Sequence, residues 1–127
     1  MDEPVALKIS SKDMHFETFG TMNQNEDCVA FAFDADAAHF VLSAYDGHLT
    51  VIRCGDESYE FDVNEGERTG FPIETPFGTL PVHIDGQRVK IKRGAAVELL
   101  VKYMLGVADE QTPVQLHIKA VPQGGLQ

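Results

Sequence analysis

The run Arg68-Thr69-Gly70-Phe71-Pro72-Ile73-Glu74-Thr75-Pro76-Phe77-Gly78-Thr79-Leu80-Pro81-Val82 decides how this chain is read. It is a proline- and glycine-punctuated corner between segments in which apolar and polar residues alternate. Alternation means one-sided burial in a sheet, because successive strand side chains point to opposite faces. The Pro and Gly positions mark where the chain turns. Pro72 and Pro81 cannot donate to a ladder, so they place parts of two strands at an edge or a bulge. Those edges are where a homodimer would form.

The same pattern extends outward in both directions. Val5, Leu7 and Ile9 share a face, as do Val29, Phe31 and Phe33. From Ser58 to Asn64, Tyr59, Phe61 and Val63 point one way and Ser58, Glu60, Asp62 and Asn64 the other. Gly20, inside Phe16 to Met22, suggests a bend or bulge. Asp46-Gly47 joins His39–Tyr45 to Leu49–Cys54 as a hairpin, since that pair accepts positive φ. Asp85-Gly86 reads as a second such turn, between Leu80–Ile84 and the strand of Val89 and Ile91. Asp34 to Ala38 reads as a loop or as one helical turn capped by Asp34. Glu65-Gly66-Glu67 turns the chain back into Thr69–Thr75.

One segment fits two periods. Val97, Leu100, Val101, Met104 and Leu105 have helical spacing, while Val97, Leu99, Val101, Tyr103 and Leu105 form an equally good strand face. The neighbouring hairpin signals and the lack of a helix-starting cap favour strand. Roughly ten short strands without crossover helices then predict an all-β antiparallel sandwich or barrel. A single domain is expected over 1–122, with 123–127 as a frayed tail.

Composition narrows the function classes. The 127 residues carry 20 acidic against 10 basic side chains, a net charge of -10, which repels phosphate backbones and anionic membrane surfaces. Neither a nucleic-acid nor a membrane partner is expected. The acidic start Met1-Asp2-Glu3-Pro4 is no signal peptide, and no apolar run reaches spanning length, so the chain reads as cytoplasmic. Cys28 and Cys54 are then reduced thiols, with neither a metal nor a redox motif around them.

Several blocks resemble a known family. Val5-Ala6-Leu7-Lys8-Ile9-Ser10-Ser11 is similar to its opening strand, Ile52-Arg53-Cys54-Gly55 to its R-x-G turn, and Glu74-Thr75-Pro76-Phe77-Gly78-Thr79-Leu80 to its most distinctive block. Glu98-Leu99-Leu100-Val101-Lys102-Tyr103 followed by Val114–Lys119 resembles its closing pair. The family is the YwiB-like bacterial proteins of unknown function. The resemblance implies a closed antiparallel up-and-down β-barrel similar to lipocalins and other calycins, of about eight to ten strands, with 95–105 as a strand. It implies no activity.

The residues offer some candidate chemistry. Arg53 shares strand parity with Leu49 and Val51, so it points inward, either toward an anion at the barrel mouth or into an ion pair with a carboxylate such as Glu74. Phe31, Phe33, Phe40, Tyr59, Phe61, Phe71 and Tyr103 would line the interior, as a bare core or as a cavity for an apolar small molecule. Arg53, Thr75 and Tyr103 would then supply its polar contacts. The expected ligand-binding residues are Arg53, Phe71, Glu74, Thr75 and Tyr103.

The five histidines lack metal-type spacing, and His83 and His117 are expected to face solvent. No cofactor motif is present, and neither cysteine sits in a nucleophile motif. Arg88, Lys90, Lys92 and Arg93 form a basic cluster, read as a cross-strand complement to the acidic face of Ser58–Asn64. The expected function is a non-enzymatic barrel binding a small, partly apolar ligand, with an anionic group near Arg53. The alternative is a solid-core barrel that acts as a protein-interaction module.

Overall fold

The computed structural model describes residues 2–12, 14–55 and 58–123. They form β1 (Glu3–Ser10), β2 (His15–Gln24), β3 (Cys28–Ala35), β4 (Ala38–Tyr45), β5 (His48–Cys54), β6 (Tyr59–Asn64), β7 (Arg68–Thr75), β8 (Gly78–Lys92), β9 (Val97–Val107) and β10 (Glu110–Pro122). All pair antiparallel in one sheet of order β6-β5-β4-β3-β2-β1-β10-β9-β8-β7. Each strand thus lies beside its neighbours in the chain, and β1 closes on β10. This is an up-and-down barrel. Among the described residues no helix is long and apolar enough to cross a membrane.

The alternation seen in the sequence is the alternation of the wall. Val5, Leu7 and Ile9 of β1, Val29 and Phe31 of β3, and Ile118 of β10 are fully buried or nearly so. So are Val97, Leu99 and Val101, which settles the ambiguous segment as the strand β9. Each such side chain contributes about 1.5–3 kcal/mol of burial.

Only β6 and β7, consecutive in sequence, meet without a ladder. The connection 65–67 is therefore a corner at the seam. It closes the barrel onto β8 through backbone bonds from Gly66 N–H to Gly86 O (2.9 Å) and from Gly86 N–H to Glu67 O (3.0 Å). The Glu65 carboxylate also accepts the Val89 N–H at 2.8 Å. The β4–β5 turn joins the same corner, with Gly47 N–H donating to Val89 O at 3.2 Å. Arg68 forks onto Asp85 at 2.6 and 2.9 Å and pins the start of β7 beside it.

Four local expectations change. Asp85-Gly86 is no turn: β8 runs unbroken through it, with a register shift between Gly86 and Arg88. Asp34 to Ala38 has no helical turn, and its loop narrows to two residues. Asp36 and Ala37, at φ 52 and 59, make a tight two-residue hairpin between β3 and β4. Gly20 sits in a regular ladder, and its need is space, since a Cβ there would lie 2.3 Å from the Ala32 carbonyl oxygen. The basic strand β8 neighbours β7 and β9 in the sheet, so its side chains do not face Ser58–Asn64 across a ladder.

Both proline expectations hold. Pro72 and Pro81 face each other on β7 and β8. Two residues without N–H must form a non-hydrogen-bonded pair, so the missing donors point to the free edge of β7 and past the last β8–β9 pairing at Val82. Of the expected tail, 124–127 lie outside the described residues, while Gln123 N–H donates to Pro4 O at 3.0 Å.

Gly78 opens β8 at φ 120 with nothing within 4 Å of an added Cβ. A side chain there meets backbone strain alone. Gly78→Val is expected to cost about 1–3 kcal/mol, measured as a lower urea midpoint. An unchanged midpoint would show that the hairpin relaxes to negative φ.

Candidate functional site

The inward rows converge at the end of the barrel that carries the β1–β2 and β3–β4 turns. Register aligns Phe33, Phe40, Arg53 and Tyr59 across β3 to β6. Phe33 and Phe40 stack at 5.4 Å and 16°. The Arg53 guanidinium carbon lies 5.7 Å from the Phe40 ring centre and 6.0 Å from that of Tyr59. Such contacts contribute about 0.5–2 kcal/mol and hold the cation beside these two rings.

A second aromatic group bridges the open seam. Phe61 of β6 stacks on Phe71 of β7 at 5.1 Å and 16°, Tyr59 lies 5.9 Å from both, and Tyr103 of β9 lies 6.2 Å from Phe61. Of these rings Tyr59, Phe61 and Tyr103 wall a cavity of about 200 Å³, together with Phe16, Phe33 and Phe40 among others. Among the described residues the lining is mostly apolar, with Asp36 at the β3–β4 turn as its one acidic member.

Burial pushes the Tyr103 hydroxyl up to about 12, from an ordinary value of 10.0. A raised acid keeps its proton in the fold after the unfolded chain has lost it. The Tyr103 contribution to stability should therefore be constant below about pH 10 and fall by up to about 3 kcal/mol as pH rises toward 12. Urea unfolding at stepped alkaline pH checks this, and Tyr103→Phe should flatten the slope.

The five expected ligand residues separate in space. Tyr103 lines the cavity. Arg53 sits over two of its rings, and Phe71 backs Phe61 at the seam. Glu74 lies exposed near the β7–β8 tip, where its carboxylate accepts from Thr79 Oγ1 at 3.0 Å. The side chain of Thr75 is not among those described. Met14, Phe16, Ala35 and Asp36 join the site unforeseen. Phe16 carried a signal in its parity with Thr18 and Met22. The other three flank or form turns, whose shape only the closed barrel decides.

The remaining polar groups lie on the outer wall. His39 meets Asp34 at 2.7 Å and stands opposite the exposed Cys54. Thr50 Oγ1 donates to Asp62 at 2.6 Å, and that bond, aided by His48, holds the Asp62 carboxyl below its usual range despite partial burial. His117 pairs with Glu98 at 2.9 Å. His83 departs from expectation: its Nε2 is buried against Gly106 and has no hydrogen-bond partner among the described residues.

Fold and cavity together define a single-chain, ten-stranded up-and-down barrel with an aromatic cavity at one end. The chain belongs to the family described as a domain of unknown function (DUF1934), which matches residues 6–118. The crystal structure of the YwiB protein from Bacillus subtilis matches with a TM-score of 0.80 at 15% identity, over 96% of this chain and 93% of that one. At that identity the likeness establishes the fold. A search of curated proteins finds no match.

Proposed function

We propose that this barrel is a binding protein rather than an enzyme, holding one small, partly apolar ligand in the cavity at its mouth. The observation that carries the reading is the aromatic cavity of about 200 Å³, two of whose rings, Phe40 and Tyr59, also contact the Arg53 guanidinium. A dry cavity of about 150 Å³ accepts benzene, so this volume suits one substituted ring. Ring edges and faces would contact it on most sides, the Tyr103 hydroxyl offers a hydrogen bond, and Arg53 offers charge to an anionic substituent. Its free thiols, Cys28 and Cys54, accord with the reducing cytoplasm, which we propose as its location.

The test has two parts. Native mass spectrometry of gently purified protein should show a small mass lost on denaturation. Titration with benzoate should shift the NMR signals of Tyr59, Phe61 and Tyr103. Ala35→Leu, which fills the mouth from β3, should abolish that response while leaving the fold intact. Absence of both a copurified mass and a benzoate response would overturn the proposal.

A further inference from the structure

A second surface lies outside the cavity. Apart from Arg53 and Arg68, all lysines and arginines of the chain stand on or beside β1, β8, β9 and β10, and all of these are exposed. These four strands are contiguous in the sheet. A chain with net charge -10 therefore presents one basic wall.

The register sharpens the point. Lys8 lies directly opposite Lys119, and Arg88 directly opposite Lys102. Like charges so placed destabilise a sheet. With 20 acidic residues in the chain, partners of opposite sign are not scarce. Glutamates flank the first pair, Glu17 opposite Lys8 and Glu98 opposite Lys119, whereas Lys102 has Gln115 on its other side. Of the acids on these strands, Glu98 is also engaged by His117, Asp85 is held by Arg68, and Glu3 and Glu110 open their strands. A groove of about 320 Å³ adjoins the cations, lined by Ser10, Lys12, Gln87, Lys102, Gln115 and His117. It offers hydrogen-bonding groups beside positive charge.

We infer that the β8–β9–β10–β1 wall docks an extended, Asp- and Glu-rich segment of another protein. Carboxylates would neutralise the opposed cations, and Gln87, Gln115 and Ser10 suit the amides of a peptide backbone. A nucleic acid fits less well. The wall's neighbouring outward residues include Leu100, Ser10 and Gln115 but no aromatic platform for bases among the described residues, and a long polyanion would also meet the acidic remainder of the molecule.

Fluorescence anisotropy of a labelled Glu-rich peptide against the full chain tests this. Saturable binding that weakens with added salt is expected. Lys102→Glu and Lys119→Glu should each weaken it at least about tenfold. The melting temperature of Lys102→Glu should hold or rise, because Arg88 would then face an opposite charge, and that of Lys119→Glu should hold, because it exchanges a like-charge contact with Lys8 for one with Glu98. That combination separates a docking role from a structural one, which would lower the melting temperature. No binding at low salt, binding indifferent to both variants, or tighter binding of a labelled single-stranded RNA would each overturn the inference, the last by reassigning the wall to nucleic acid.

Discussion

Gly86→Ala should lower barrel stability by about 3–5 kcal/mol, although it adds one methyl group to a residue without positive φ. An ideal Cβ on Gly86 would lie 2.0 Å from the Asn64 carbonyl oxygen and 2.6 Å from its carbon. These are backbone atoms, so no rotamer change relieves the clash. Either β6 withdraws from β8 or β8 bends outward. Both movements stretch the bonds from Gly66 N–H to Gly86 O and from Gly86 N–H to Glu67 O. Two hydrogen bonds of about 0.5–1.5 kcal/mol each are then at stake, together with overpacking strain of about 1–3 kcal/mol. The location magnifies the effect, because the β6–β7 seam lacks the ladder that joins the other neighbouring strands. Gly66→Ala is the fitting control, since that turn glycine has φ 76 and nothing within 4 Å. It should cost only about 1–2 kcal/mol. Urea unfolding followed by circular dichroism measures both, and a loss below about 1 kcal/mol for Gly86→Ala would show that the seam closes without this approach.

The same glycine shows where sequence reading stops. Asp46-Gly47 and Asp85-Gly86 are the same dipeptide between apolar runs, and only the first turns, with Gly47 at φ 83. The inward face of β8 passes from Val82 and Ile84 to Val89 and Ile91, a change of parity that both a hairpin and a bulge produce. What decides for the bulge is the arrival of Asn64 from β6, a contact distant in sequence. Conversely, Asp36-Ala37 turns without any glycine, at φ 52 and 59, because the paired strands on either side hold it there. Alternation therefore made the strands and their inward faces legible, and with them the inward course of Arg53 and Tyr103. Residues alone left sandwich and barrel open, and the family resemblance carried the closure. The cavity's Met14 and Asp36 were hidden, because turns enter a site only after the sheet has curled. Glu74, which the sequence offers as a carboxylate that Arg53 could meet, accepts from Thr79 at the hairpin tip.

Phe61→Ala should reveal whether the seam and the cavity share one set of rings. Deleting a phenylalanine from a core costs about 3–5 kcal/mol, and because Phe61 is half-buried a loss of about 2–4 kcal/mol is expected. Its ring touches Phe71 across the seam, Tyr59 beside it and Tyr103 across the interior. With no ladder between β6 and β7, these contacts carry much of the cohesion at the mouth. The Phe61–Phe71 pair should accordingly show a coupling of about 0.5–1.5 kcal/mol in a double-mutant cycle. The deletion also adds a ring-sized void to a cavity of about 200 Å³. Benzene or indole in the buffer should then restore part of the lost stability, by about 2.7 kcal/mol at a hundredfold excess over its dissociation constant. The same additive should do little for a variant truncated at the opposite pole, such as Val63→Ala, whose neighbourhood is closed by the β4–β5 and β6–β7 corners. A small loss without rescue would mean that the mouth rings rest on solvent instead of on one another, and a cavity built from them would hold nothing. A large loss with selective rescue would mean that the rings holding the barrel shut are also the walls in which a ligand would lie, so that binding and closure reinforce each other at the same strands.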